Sequence, residues 1–216
     1  MTRAENVMRE LLRTHGRTYA EEAGIRLKDT PQPLYRLLVL AHLLSARIRG
    51  SIALATARAL HEAGLSDPHR MADADWQERV DALGRGGYRR YDERTATQLG
   101  DAARLLDDRW GGDLRRLREE ADGDVSALRR LLQEFPGVGP TGADIFLREA
   151  QGVWPDVAPY LDRKALQGAG RLDLPEDPDR LVALAGETDP AVLAAALVRA
   201  AVDKEVARES LAGATR

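Results

Sequence analysis

The stretch that most constrains this chain is Phe135-Pro136-Gly137-Val138-Gly139-Pro140-Thr141-Gly142. It separates two segments of helical periodicity. Ahead of it, Val125, Leu128, Leu131 and Leu132 form an apolar stripe, and behind it Ala143, Ile145, Phe146 and Leu147 open another. Pro136 cannot continue a helical hydrogen-bond ladder, and the glycines tolerate positive φ, so the first helix must stop here. Pro140 suits the first turn of a second helix, where its missing N–H is not needed. The pattern predicts a helix, a tight hairpin and a helix. Amides of the turn and of the second helix's start are then free to face an anion, and a DNA phosphate is the natural candidate. A plain Gly/Pro turn between packed helices carries the same short signature.

The rest of the chain repeats the helical period, and no segment alternates convincingly at period two. Predicted helices cover 5–22, 34–47, 51–63, 75–83, 92–110, 113–120, 125–132, 162–172, 179–185 and 191–208, with Asp67-Pro68, Asp92, Asp162 and Thr188-Asp189-Pro190 as helix starts. This is an all-α protein of about ten helices by pattern. Trp76 and Trp110 fall in helical patterns and are expected in the core, whereas Trp154 lies in an extended connection. Pro31 to Pro33 and the loop after Gln151 are the boundary candidates, neither a long linker, so two helical lobes are expected rather than separable beads.

Composition narrows the chemistry. The 216 residues contain no cysteine, which excludes disulfides, zinc–cysteine sites and cysteine-held iron–sulfur clusters. The four histidines show no i, i+3 or i+4 pairing and no carboxylate cluster accompanies them, so no metal is expected. The apolar run from Leu37 to Leu44 is too short to span a bilayer, and charge begins at Arg3, unlike a signal peptide. The expectation is a cytoplasmic, nucleoid-associated monomer without a membrane partner. With a net charge of -3, any DNA affinity must come from a local face. Gly84-Arg85-Gly86-Gly87-Tyr88-Arg89-Arg90-Tyr91 is such a candidate: basic, aromatic and glycine-rich, with Arg47, Arg49 and Arg94 as further cations. The alternative is a solvated loop whose arginines pair with Asp92 and Glu93.

Several of these residues together resemble the helix-hairpin-helix DNA glycosylase superfamily, the group of endonuclease III. The matching segments are Phe135 to Ala143, Leu43-Leu44-Ser45-Ala46-Arg47, Tyr91-Asp92-Glu93-Arg94-Thr95-Ala96, and Trp154-Pro155, in the family's order from residue 5 to about 170. The resemblance implies a lobe over 30–140 ending in the hairpin, and a second lobe from 1–29 with 141–216. It implies double-stranded DNA, damaged or mismatched, as partner, with the target nucleotide flipped into a pocket between lobes. Gly137, Val138, Gly139, Pro140, Thr141 and Gly142 would clamp phosphates. Arg47, Arg49, Arg89, Arg90 and Tyr91 would contact DNA, Arg47 at a gap-filling glutamine's position and Arg90 or Arg89 at a wedge leucine's.

Departures from the family sharpen the expectation. Thr141 stands where endonuclease III carries its Schiff-base lysine, so a lyase step by that route is not expected. The cysteine loop of the iron–sulfur cluster is absent, and no cofactor is implied. A strict count from Trp154-Pro155 puts Tyr160 at the essential aspartate; a shift of two brings Asp162, in Leu161-Asp162-Arg163, into that place. Asp162 is the catalytic candidate and Tyr160 the alternative. The same aspartate is also a good helix cap, or could be held by Arg163 or Lys164. Asp144, one turn into the second hairpin helix, is expected to face solvent or an arginine. The implied function is a monofunctional DNA N-glycosylase of base-excision repair; the alternative is a catalytically degenerate DNA-binding protein of the same fold. A helical interaction module without DNA binding is the remote third.

Overall fold

The computed structural model describes residues 2–214. Among them the chain is helical throughout and contains no strand: α1 (Arg3–His15), α2 (Tyr19–Glu22), α3 (Pro31–Ser45), α4 (Gly50–Glu62), α5 (Pro68–Asp73), α6 (Trp76–Arg85), α7 (Asp92–Trp110), α8 (Leu114–Glu120), α9 (Val125–Leu132), α10 (Pro140–Ala150), α11 (Arg163–Arg171), α12 (Pro178–Ala185), α13 (Pro190–Val202) and α14 (Lys204–Gly213). One 3-10 turn, Pro155–Val157, interrupts the connection before α11. Two compact units form: residues 20–146, and the described parts of 1–19 with 147–216. The changes of unit thus fall at 19/20 and 146/147, where the resemblance implies 29/30 and 140/141, and α10 begins in one unit and ends in the other.

Several helix ends follow from single residues. Asp67, Asp75, Asp113, Asp124, Asp162, Asp177, Asp189 and Asp203 each accept a backbone N–H of the helix they precede. Three helix ends depart from what the sequence predicts. The first helix breaks at Gly16, whose N–H bonds the Leu12 carbonyl in a reversal so tight that a Cβ would lie 2.1 Å from that oxygen. The last helix breaks at Asp203, which ends α13 and caps α14. Asp92 does not cap α7; Tyr91 does, from the left-handed region at φ 69°, while Asp92 accepts from the next residue's N–H.

In the unit of residues 20–146, α3 is the buried axis, with Leu34, Leu37, Leu40 and Leu43 fully enclosed. α4 packs on α3 and α6, and α7 packs on α5, α6 and α8. Arg79 is buried here without a carboxylate: its guanidinium donates to the carbonyls of Met71, Ala74 and Ala96 at 3.0, 2.6 and 2.9 Å. It thereby satisfies acceptors left over at the end of α5. Burial pushes its pKa down. Gly100 makes room, since a Cβ there would sit 2.8 Å from the guanidinium carbon. Trp76, expected in the core, is 42 % exposed instead. It is the first residue of α6, beyond the edge of the core, and its indole N–H bonds Thr97.

In the other unit, Val7, Met8 and Leu11 of α1 pack with Ala165 and Ala169 of α11, Leu181 of α12 and Leu193 and Leu197 of α13. The closest approach is α11 on α13, where Gly168 leaves no space at all: a Cβ would fall 1.8 Å from the Leu197 carbonyl oxygen. Trp154 is fully buried and Trp110 is buried in its own unit, so both are core residues.

Candidate nucleic-acid interface

The hairpin closes as its residues dictate. Val138 N–H bonds the Phe135 carbonyl at 3.0 Å, Gly137 takes φ 83°, and Ala143 N–H bonds Gly139 at 3.0 Å as α10 begins at Pro140. Phe135 and Val138 turn inward, and Phe135 lies against Trp110 with ring centroids 5.5 Å apart. The Val138 side chain, expected at the DNA, therefore belongs to the core, and Gly142 is buried as well. Gly137, Gly139, Pro140 and Thr141 are exposed, and the amides of Gly137, Gly139 and Thr141 have no partner within the described residues. These are the free donors that an anion needs.

The hairpin is seated on the C-terminal end of α3. A Cβ on Gly137 would lie 2.3 Å from His42 Cε1 and 2.8 Å from Gln98 Oε1; one on Gly142 would lie 3.5 Å from Ser45 Oγ. His42 is buried, and burial lowers its pKa to about 4 against a hydrogen bond to Gln98 that raises it. This polar pair under the turn is not legible in the sequence, because its two members, His42 of α3 and Gln98 of α7, lie 56 positions apart.

Two residues beyond Ser45 the chain enters a groove of about 530 Å³ in the same unit. Its rim carries Arg47 and Arg49 from the α3–α4 loop and Arg89 and Arg90 from the α6–α7 loop; Ile48, Ile52 and Gly87 supply apolar surface. Gly86 sets the two loops side by side: its Cα sits against α4 so closely that a Cβ would be 2.2 Å from Thr56 Cα. Tyr88 is buried below, its hydroxyl 3.0 Å from Thr95 Oγ1, so it lines the groove without offering an exposed ring. Tyr91 is 48 % exposed, and Arg90 stacks on its ring at 4.9 Å. Among the described residues, none of Arg47, Arg49, Arg85, Arg89, Arg90 and Arg94 pairs with a carboxylate. The arginines are solvated, as the loop alternative has them, but among the described residues Asp92 and Glu93 do not pair with them.

Asp162, in the other unit, is differently placed. It caps α11 by accepting from Ala165 N–H at 3.1 Å, and Arg148 Nη1 reaches both its oxygens at 2.9 and 2.8 Å. The two side chains are 13 % and 9 % exposed, a nearly buried ion pair. The partner is Arg148 of α10, not Arg163 or Lys164; both of those are exposed, and Lys164 bonds Gln167. Gln151, one turn after Arg148, fixes the intervening loop: its amide donates to the carbonyls of Arg148, Tyr160 and Pro190 and accepts from Tyr160 N–H at 2.7 Å. Tyr160 is thus pinned through its backbone. Asp144 pairs with Arg129, at 2.6 and 3.2 Å, as one of its two expected environments. No group of three or more His, Cys, Asp or Glu among the described residues is placed to hold a metal.

Comparison with known proteins adds no family: no protein-family model matches the chain, and no curated protein is significantly similar to it.

Proposed function

We propose that the chain binds double-stranded DNA, damaged or mismatched, on a scaffold of the helix-hairpin-helix glycosylase kind, with backbone phosphates held by the hairpin amides and the groove arginines. The observation that carries this reading is the set of four unpaired arginines around one groove, attached to the same end of α3 on which the hairpin glycines are seated. Arginine forks match phosphate geometry, and a local cationic face overcomes a mildly acidic chain. Of the two functions the resemblance implies, binding without base release is the better supported. Asp162 has both oxygens engaged by Arg148 and the α11 N-terminus, and Thr141 has no amine for a Schiff base.

The test is fluorescence anisotropy on a labelled duplex, paired with a base-release assay over a panel of lesions. The Arg47→Ala/Arg90→Ala double variant is expected to weaken binding by about a hundredfold or more, the loss of two charge-assisted contacts. No base should be released. Undetectable duplex binding at low salt would end this reading; base release that disappears in Asp162→Asn would restore the glycosylase in its place.

A further inference from the structure

The groove has more than phosphate binding requires. Tracking a backbone needs only a positive surface, whereas this concavity has an apolar floor beneath its arginine rim. It is an open groove of about 530 Å³ rather than an enclosed cleft, so a ligand would lie across it with one side in solvent. Ile48 and Ile52 are half-buried beside Gly87, where φ 87° and the missing side chain keep the floor open. One residue beyond Arg90 of the rim, Tyr91 stands in a left-handed conformation, strained for a non-glycine residue, with its ring half exposed and Arg90 stacked on it. An apolar floor, an exposed ring and four guanidinium groups are complementary to one thing in particular: a flat base with its phosphates.

We propose that this groove binds an unstacked nucleotide, the base on Ile48, Ile52 and the Tyr91 edge and the adjoining phosphates on Arg47, Arg49, Arg89 and Arg90. The proposal rests on the DNA-binding reading above and specifies what part of the DNA is recognised. In an intact duplex both faces of every internal base are covered by neighbours. A base face is presented only at a gap, an overhang or a single strand, or by a free nucleotide. Stacking on an aromatic side chain strengthens binding by about fivefold to a hundredfold per base, enough to separate these ligands from intact duplex.

Full-length protein is titrated with three labelled probes of equal length: intact duplex, duplex with a one-nucleotide gap, and single strand; unlabelled dATP is titrated separately by calorimetry. The gapped probe is expected to bind at least about tenfold tighter than intact duplex. Ile48→Ser should reduce that preference below about threefold. Tyr91→Ala, a change at an exposed ring, should also reduce the preference, and circular dichroism confirms that each variant is folded. Binding of dATP by the wild type but not by Ile48→Ser, without a gap preference, assigns the same groove to a free nucleotide. Equal affinity for intact and gapped duplex with no dATP binding overturns the proposal and leaves DNA binding standing. Failure to bind any probe removes DNA binding itself, and dATP binding then decides the groove alone.

Discussion

His42 shows how one buried side chain ties the hairpin to solution pH. It fills the space beneath Gly137 and is shielded from water, so its imidazolium is disfavoured: its pKa falls from 6.5 to about 4, burial outweighing the Gln98 hydrogen bond. Unfolding returns the ring to water and to the higher value. Between pH 6.5 and 4 the unfolded chain therefore binds the extra proton, and stability rises with pH across that window. The contribution is complete above about 6.5 and is lost as pH falls through about 4, amounting to roughly 3 kcal/mol. Urea titrations at pH 7 and pH 4.5 measure it. In His42→Gln, which has no such proton, the drop in stability between these pH values should shrink by about 2 kcal/mol. An unchanged drop would mean that His42 is solvated. Asp162 makes a different point about single residues. Its aspartate-then-helix pattern is legible, and it is indeed a cap, but its ion pair with Arg148 lies across a 14-residue separation that no local pattern encodes.

Contacts between helices are controlled by the absence of side chains as much as by their presence. At Gly168, α11 and α13 meet backbone to backbone, with Ala165 and Ala169 beside it and Ala194 and Ala200 among the buried residues of α13. A methyl group would have to displace the Leu197 carbonyl, which is rigid main chain rather than a yielding side-chain tip. Gly168→Ala is expected to destabilise by about 3 kcal/mol, the upper end of overpacking effects, although alanine is the better helix former. A denaturation midpoint equal to the wild type would show that the helices separate freely. The sequence announces Gly137 to Gly142 because glycine and proline punctuate a visible break there; it is silent about Gly168 and Gly86, whose importance depends on which helix lies opposite. The same distinction explains the rest of the fold. All-helical class and most helix starts are read from period and capping residues. Breaks at Gly16 and Asp203 lie inside otherwise periodic runs, and Trp76 fits a stripe whose first turn simply projects beyond the core. Of the candidate interface, the arginines and the turn are legible. The groove between them is not, since Gly86 against Thr56 is what brings the two loops together.

With a net charge of -3, the chain as a whole repels DNA, so affinity has to be decided over distances that salt does not screen. The Debye length is about 10 Å at 0.1 M salt, and beyond it the acidic remainder of the surface counts for little. The rim of the groove then carries the interaction, with four of the cations that have no carboxylate partner, Arg47, Arg49, Arg89 and Arg90. The hairpin adds neutral amide donors, which release no counterions of their own charge. If each rim arginine neutralises one phosphate, log K should fall against log salt with a slope of about -3.6. Each Arg→Ala change at 47, 49, 89 or 90 should reduce that steepness by about 0.9, nearly independently of probe sequence. Thr141→Pro, which removes one such backbone N–H, should instead weaken binding with the slope unchanged, because a neutral amide contributes position rather than ion exchange. Anisotropy titrations between 0.1 and 0.4 M potassium chloride distinguish these patterns. A slope shallower than about -1, or one that survives removal of all four arginines, would place the DNA contact elsewhere on the molecule.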